Sequence, residues 1–151
     1  MRNQPYLSTS ILAQTEFTIF IFQIGRIHSR LKKIRKEILP NLVKFSNDAM
    51  QHSTPVIRPL WMLDPDDHEN QKISDQFLIG DQILVAPILH AGQTSRDIYL
   101  PKVLNKEPHE IVWRGQKGGP GKGSFYKGGT WLRDFKVDLN EVPYFTKYSH
   151  D

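Results

Sequence analysis

The stretch "ISDQFLIGDQILVAPIL", Ile73–Leu89, is dense in apolar residues and punctuated by Asp75, Gly80, Asp81 and Pro87. It holds no evident nucleophile and no cluster of metal ligands. Within it, "ILVAPIL" reads as a buried strand with a proline near its end, because a short apolar run bounded by turn residues suits a strand covered on both faces. Strand signals continue downstream. "RDIYLP" is a short strand stopped by Pro101, and "EIVW", "SFYKGGTWL" and "DFKVDL" follow before "VPYFTKY" closes the series. In "DFKVDL", Phe135, Val137 and Leu139 alternate with Lys136 and Asp138, the period-two signature of a half-buried strand. Phe135, Val137 and Leu139 are therefore expected to face inward, and Asp97, Asp134 and Asp138 to face solvent. Short strands separated by turn signals predict an antiparallel β-sandwich from Phe77 to about Tyr148.

Upstream lies "STPVIRPLWMLDP". Val56, Ile57, Leu60 and Trp61 suit a strand, but Pro59 removes a ladder donor, so the strand is expected to end near Arg58. Arg58 stands in an apolar run and needs a partner. "DPDDHENQ" reads as an exposed polar turn holding Asp64, Asp66, Asp67 and Glu69. Its carboxylates do not make a calcium loop of the EF-hand kind, which needs alternating ligands, a central glycine and a distant glutamate. No metal ligands are assigned anywhere in the chain.

Before that turn, Leu31, Ile34, Ile38, Leu42, Phe45 and Ala49 recur at spacings of three and four, the stripe of an amphipathic helix over Leu31–His52. Lys32, Lys33, Arg35, Lys36, Lys44 and Asn47 fall off the stripe. Pro40 lies inside it and predicts a kink near Glu37–Leu39. The cluster from Arg26 to Lys36 is basic without interleaved aromatic residues, so a solvated face explains it better than nucleic-acid stacking. Further upstream, "FTIFIFQI" (Phe17–Ile24) is intensely apolar. It is too short to span a bilayer, which takes about 20 apolar residues, and reads as a buried strand or helix, with a membrane anchor as the sharper alternative.

Composition bounds the rest. The chain has 151 residues, enough for one ordinary core, with 38% hydrophobic and 24% charged residues, too apolar for a disordered chain. A net charge of +4 by itself points to solubility rather than to a nucleic-acid partner. The absence of cysteine excludes disulfides and thiolate zinc sites. The glycine-rich loop Gly115–Phe125, "GQKGGPGKGSF", looks like a phosphate cradle and is not one. Gln116 stands where a P-loop needs glycine, Gly123 stands where it needs Ser or Thr, and a strand rather than a helix follows. A hairpin loop is the reading that remains.

The order and spacing of "RKEILPNLVKFSNDAMQHSTPVIRPLW", "ISDQFLIGDQILVAPIL", "SRDIYLP", "GGTWL" and "EVPYF" resemble glycoside hydrolase family 31, the α-glucosidase-like enzymes. Within it the likeness is to the branch of the myogenesis-regulating glycosidases. The resemblance runs from about Arg35 to Phe145. It implies a mainly β chain with an N-terminal helical part (α+β): the last helix and strand of a (β/α)₈ barrel, over residues 31–76, followed by an antiparallel proximal C-terminal β-sandwich over 77–151. Residues 1–30 stay unassigned. In that frame "TPVIRPLW" is the final barrel strand. Asp75 and Asp81 then serve as turn caps and as partners of basic neighbours such as Arg58 or Arg96.

The family implies retaining hydrolysis of O-glycosyl bonds in α-linked sugars by two carboxyl groups. Its nucleophile motif has no counterpart here, so no catalytic residue is carried over and no cofactor is implied. Trp61 or Asp64 could approach the sugar pocket from the end of a barrel strand, although core packing is the expected role of Trp61. The resemblance implies a carbohydrate substrate only in the context of a full-length enzyme, and a secretory or membrane-associated setting for that parent. No nucleic-acid partner is expected, while an open apolar helix face would favour self-association. Three readings stand in this order: the C-terminal portion of a family 31 glycosidase, a sandwich module for binding or scaffolding, and a basic binder of nucleic acid or anionic lipid.

Overall fold

The computed structural model describes residues 6–102, 111–117, 123–138 and 141–148, with backbone alone for 6–24, 116 and 117. The chain divides into two compact units, Met1–Asn41 and Leu42–Asp151.

The first long element is α1, Tyr6–His52, which ends where the periodic stripe ends and carries Pro40 inside it. It begins far upstream of Leu31, so "FTIFIFQI" is helical in its backbone. The apolar stripe extends the expected way at its end: Phe45 is buried, whereas Leu39 and Val43, to either side of it, are exposed.

The second unit is built on strands whose pairings are all antiparallel. Its strands are β1 (Ile57–Arg58), β2 (Phe77–Ile79), β3 (Ile83–Val85), β4 (Ser95–Leu100), β5 (Val112–Lys117), β6 (Phe125–Lys127), β7 (Thr130–Lys136) and β8 (Tyr144–Tyr148). Six of them form one sheet in the order β1-β2-β3-β8-β5-β6, and β4 pairs with β7 in a second. Leu78, Leu84, Trp113 and Phe145 of the large sheet share one core with Ile98, Tyr99 and Leu100 of the small one. Two sheets burying their apolar faces against each other are the sandwich that the short strands and their turn signals predicted. Phe135 packs against this core, with its ring 5.9 Å from that of Phe145, and Val137 is buried. Leu139 lies outside the described residues.

Local chemistry explains the connections. Gly80 turns β2 into β3 at φ 62°, a left-handed conformation open mainly to glycine. Gly128 begins the turn between β6 and β7, and a Cβ there would stand 2.9 Å from the Pro101 carbonyl oxygen, so only glycine lets the two backbones approach. The Gly115–Phe125 loop joins β5 to β6 as a hairpin with Arg114 opposite Phe125. Its tip, 118–122, lies outside the described residues. Asp134 adopts φ 49°, which interrupts the strict alternation of β7.

Two expectations fail. "DPDDHENQ" is not an exposed turn. Its second half is a short helix, α2 (His68–Lys72), and Asp64, Asp67 and Asn70 are buried. Trp61 also departs from its expected role in the core. It belongs to a 3-10 turn, Leu60–Met62, in which Leu60 turns inward and Trp61 is 48% exposed.

Candidate functional site

An open cleft of about 570 Å³ runs between α2, the segment after it, and the β4–β7 pair. Three ion pairs rim it. Lys72 Nζ lies 2.8 Å from Glu69 Oε1, Arg96 Nη2 lies 2.7 Å from Asp75 Oδ2, and Arg133 Nη1 lies 2.5 Å from Asp97 Oδ2. Trp131 contributes its indole edge, donating from Nε1 to Glu69 Oε2 at 3.2 Å, while the Arg133 guanidinium covers the ring at 4.3 Å.

Behind the cleft sits a buried polar network. Asp67 caps α2 by accepting from the Glu69 N–H at 3.1 Å, and its other oxygen accepts from the Tyr99 hydroxyl at 2.7 Å. Asn70 donates to the Asp64 carbonyl at 3.3 Å, and Asp64 Oδ1 accepts from the Asp66 N–H at 3.1 Å. Burial pushes the Tyr99 hydroxyl well above its ordinary range, and the hydrogen bond to Asp67 pushes it the same way. This network was missed from sequence. A signal existed: in "DPDDHENQK" Asp67 is a good N-cap residue and Glu69 places an acid in the first turn, both marks of a helix start.

Arg96 is the anchor of the cleft. Its side chain is 5% exposed and its carboxylate partner Asp75 is 53% exposed. The Nη2 atom faces Asp75 as an ion pair without hydrogen-bond geometry, while Nη1 donates to the Asp75 and Pro87 carbonyls and Nε to the Asp97 carbonyl. The expected pairing of Asp75 with Arg96 is therefore present. Asp81 has no side-chain hydrogen bond or ion pair among the described residues. Arg58 is served locally, by the Pro55 carbonyl at 2.7 Å and Thr54 Oγ1 at 3.2 Å.

The exposed carboxylates hold structural posts as well. Asp97 accepts from the Asp134 N–H at 2.9 Å, and this bond, followed by that from Arg133, holds its carboxyl below the usual range. Lys72 does the same for Glu69, and Lys136 for Asp134. Asp138 is exposed, as expected. The cleft thus presents fixed, mutually neutralised ion pairs. No group of three or more His, Cys, Asp or Glu residues that could hold a metal ion occurs among the described residues.

Comparison with known proteins gives this architecture its place. The profile of the glycosyl hydrolase family 31 C-terminal domain matches residues 53–150. The mouse (Mus musculus) myogenesis-regulating glycosidase is 39% identical over 109 residues, covering 72% of this chain. The SITS-binding protein of Tetronarce californica is 36% identical over 110 residues, covering 73%. The chain spans 14% of the length of each of these two relatives. Among solved structures, a GH31 α-xylosidase from a soil metagenome, complexed with xylose, superposes with a TM-score of 0.67 at 30% identity. That match covers 78% of this chain and 16% of the xylosidase. The matched residues take in the whole sandwich, from β1 through β8, and the chain belongs to glycosyl hydrolase family 31 as a bearer of its C-terminal domain.

Proposed function

We propose that this chain serves as the C-terminal portion of a glycosidase that hydrolyses O-glycosyl bonds of α-linked sugars, and that its own residues cleave no bond. The observation that carries the second half is the set of tasks held by the carboxylates. A retaining glycosidase needs a nucleophile and a general acid about 5 Å apart, the acid with a raised pKa. Here Glu69, Asp97 and Asp134 are all shifted the other way, by Lys72, by the Asp134 N–H with Arg133, and by Lys136. Asp67 is committed to a helix cap and a tyrosine, and Asp75 to a buried arginine. A carboxylate held ionised by a neighbouring cation is a poor proton donor at neutral pH.

In the same reading, α1 from Leu31 to His52 is the last helix of a catalytic barrel and "TPVIRPLW" its final strand, which runs on into the sandwich sheet through the antiparallel pairing of β1 with β2. The sandwich then acts as the platform next to that barrel. The open helix side chains Leu31, Leu39 and Val43 support the placement of the helix against a further surface, and the family match over residues 53–150 supports the platform role of the sandwich.

The test is turnover. Purified chain incubated with nitrophenyl α-glucoside, α-galactoside and α-xyloside, from about pH 4 to 8 to bracket ordinary carboxylate pairs, is expected to release no nitrophenol above background. Turnover that survives repurification and disappears on substitution of one Asp or Glu would overturn the reading.

A further inference from the structure

The segment of α1 before Leu31 has no task in the glycosidase reading, and two observations meet in it. First, Arg26, Arg30, Lys32, Lys33, Arg35 and Lys36 all lie exposed on one helix, and no acidic residue occurs between Glu16 and Glu37. Lys32, Lys33, Arg35 and Lys36 stand off the apolar stripe, so they stay accessible whether or not a barrel covers that stripe. Second, the uncharged run Phe17–Ile24 belongs to the same continuous helix. A strand there would carry unpaired backbone groups into any apolar medium. Inside a helix the N–H and C=O groups bond to one another, so the segment can enter lipid without orphaned donors.

We propose that α1 between Phe17 and Lys36 binds an anionic lipid surface. Phe17–Ile24 enters the boundary between headgroups and acyl chains, and the cations from Arg26 to Lys36 pair with the anionic headgroups. The run is about 12 Å long at the helical rise, well short of the roughly 30 Å hydrocarbon core. Among the described residues no helix is long and apolar enough to cross a membrane. The contact is therefore with one leaflet. A polynucleotide fits less well. No aromatic residue lies between Arg26 and Lys36 to stack on bases, and the apolar run has nothing to meet on a phosphate backbone. Apolar insertion combined with cationic attraction is the usual physics of interfacial helices.

Flotation of the full 151-residue chain with lipid vesicles tests this directly. The chain is expected to float with phosphatidylcholine vesicles containing phosphatidylserine at about 0.1 M salt and to be released at about 1 M, where screening shortens to about 3 Å. Pure phosphatidylcholine should retain at least tenfold less. Each Lys or Arg near an anionic surface contributes about fivefold in partitioning, so Lys32→Glu/Lys33→Glu should lower binding at least ~25-fold with helix content unchanged by circular dichroism. If that variant loses helix, Lys32→Gln/Lys33→Gln takes its place, with a loss of about fivefold per site expected. Phe20→Asp/Ile21→Asp should weaken binding to both vesicle types. Absence of flotation, equal binding to neutral vesicles, unchanged partitioning of a helical charge variant, or tighter capture by single-stranded DNA would each overturn the proposal.

Discussion

The side-chain amide of Gln76 is bound at both ends to the backbone of Tyr99: Oε1 accepts from the Tyr99 N–H at 2.9 Å, and Nε2 donates to the Tyr99 carbonyl at 2.8 Å. Both residues are buried. The amide thereby stands in for a strand along the edge of β4 that faces away from β7, and leaves that stretch of edge closed to pairing with another chain. Replacing it leaves two buried backbone groups orphaned. Gln76→Ala is expected to lower stability by about 2–4 kcal/mol, read from the urea midpoint. Gln76→Glu keeps the acceptor and loses the donor, so it should destabilise too, and more at pH 7 than at pH 4, where the carboxyl regains a proton. A midpoint unchanged in Gln76→Ala would show that water replaces the amide.

Gly80 couples α1 to the sheet. A Cβ at this position would stand 2.7 Å from ring carbons of Phe45, and the backbone is already left-handed. Gly80→Ala is expected to destabilise by about 1–3 kcal/mol from overpacking, together with the strain of a side chain at positive φ. Phe45→Leu in the same chain should recover part of that loss, because the clash is with the ring edge. A double-mutant cycle with no coupling would place the whole effect in the backbone.

Arg96 and Asp75 should respond unequally to substitution. Asp75 is half-exposed, and Asp75→Asn keeps an oxygen toward the buried guanidinium, whose three carbonyl acceptors remain, so a loss of about 1 kcal/mol is expected. Arg96→Met removes donors from three carbonyls at once, those of Asp75 and Pro87 in loops and that of Asp97 in β4, and is expected to lose about 2–4 kcal/mol. Thermal denaturation of the two variants compares them. Equal losses would mean that the ion pair, rather than the carbonyl contacts, holds the loops.

Acid should weaken the fold through Glu69, Asp97 and Asp134. All three have folded pKa values below their ordinary 4.5, 3.8 and 3.8. A depressed folded pKa gives stability that is fully present above the unfolded value and drains as pH falls through the folded one. The urea midpoint should therefore be level above about pH 5.5 and fall below about pH 4.5. Asp97→Asn should flatten part of that fall, since it removes the titratable carboxyl whose two oxygens accept from the Asp134 N–H and from Arg133. A midpoint that rises on acidification would contradict the assignment.

The isolated chain is expected to self-associate through the open face of α1. Leu39 and Val43 are 47% and 55% exposed, and Met50 77%. Apolar side chains gathered on one helix invite a partner. Sedimentation velocity should show species larger than a monomer at micromolar concentration, and Leu39→Lys/Val43→Lys should shift the distribution toward monomer. A wild-type chain that sediments as a clean monomer would remove the helix face as an association surface.

Elements whose signal is local are legible in the residues alone. The three-and-four spacing ends α1 at His52, Pro101 stops β4, and alternation turns Phe135 and Val137 inward. Each follows from a periodicity or a breaker within a few residues of its effect. The motifs from Arg35 to Phe145 were also sufficient to place the chain in its family. The strand order β1-β2-β3-β8-β5-β6, which sets β8 between β3 and β5, emerges only in the folded chain. So does the burial within "DPDDHENQ". Asp67 is buried because Tyr99, 32 residues further on, brings a hydroxyl to it, and Gln76 because the edge of β4 needs an amide. Trp61 is exposed because the 3-10 turn spends its inward position on Leu60. Desolvating a polar group is unfavourable by itself and becomes tolerable only when a distant partner arrives to bond it. That partner is absent from any local window of sequence, so such residues read as surface until the chain is folded.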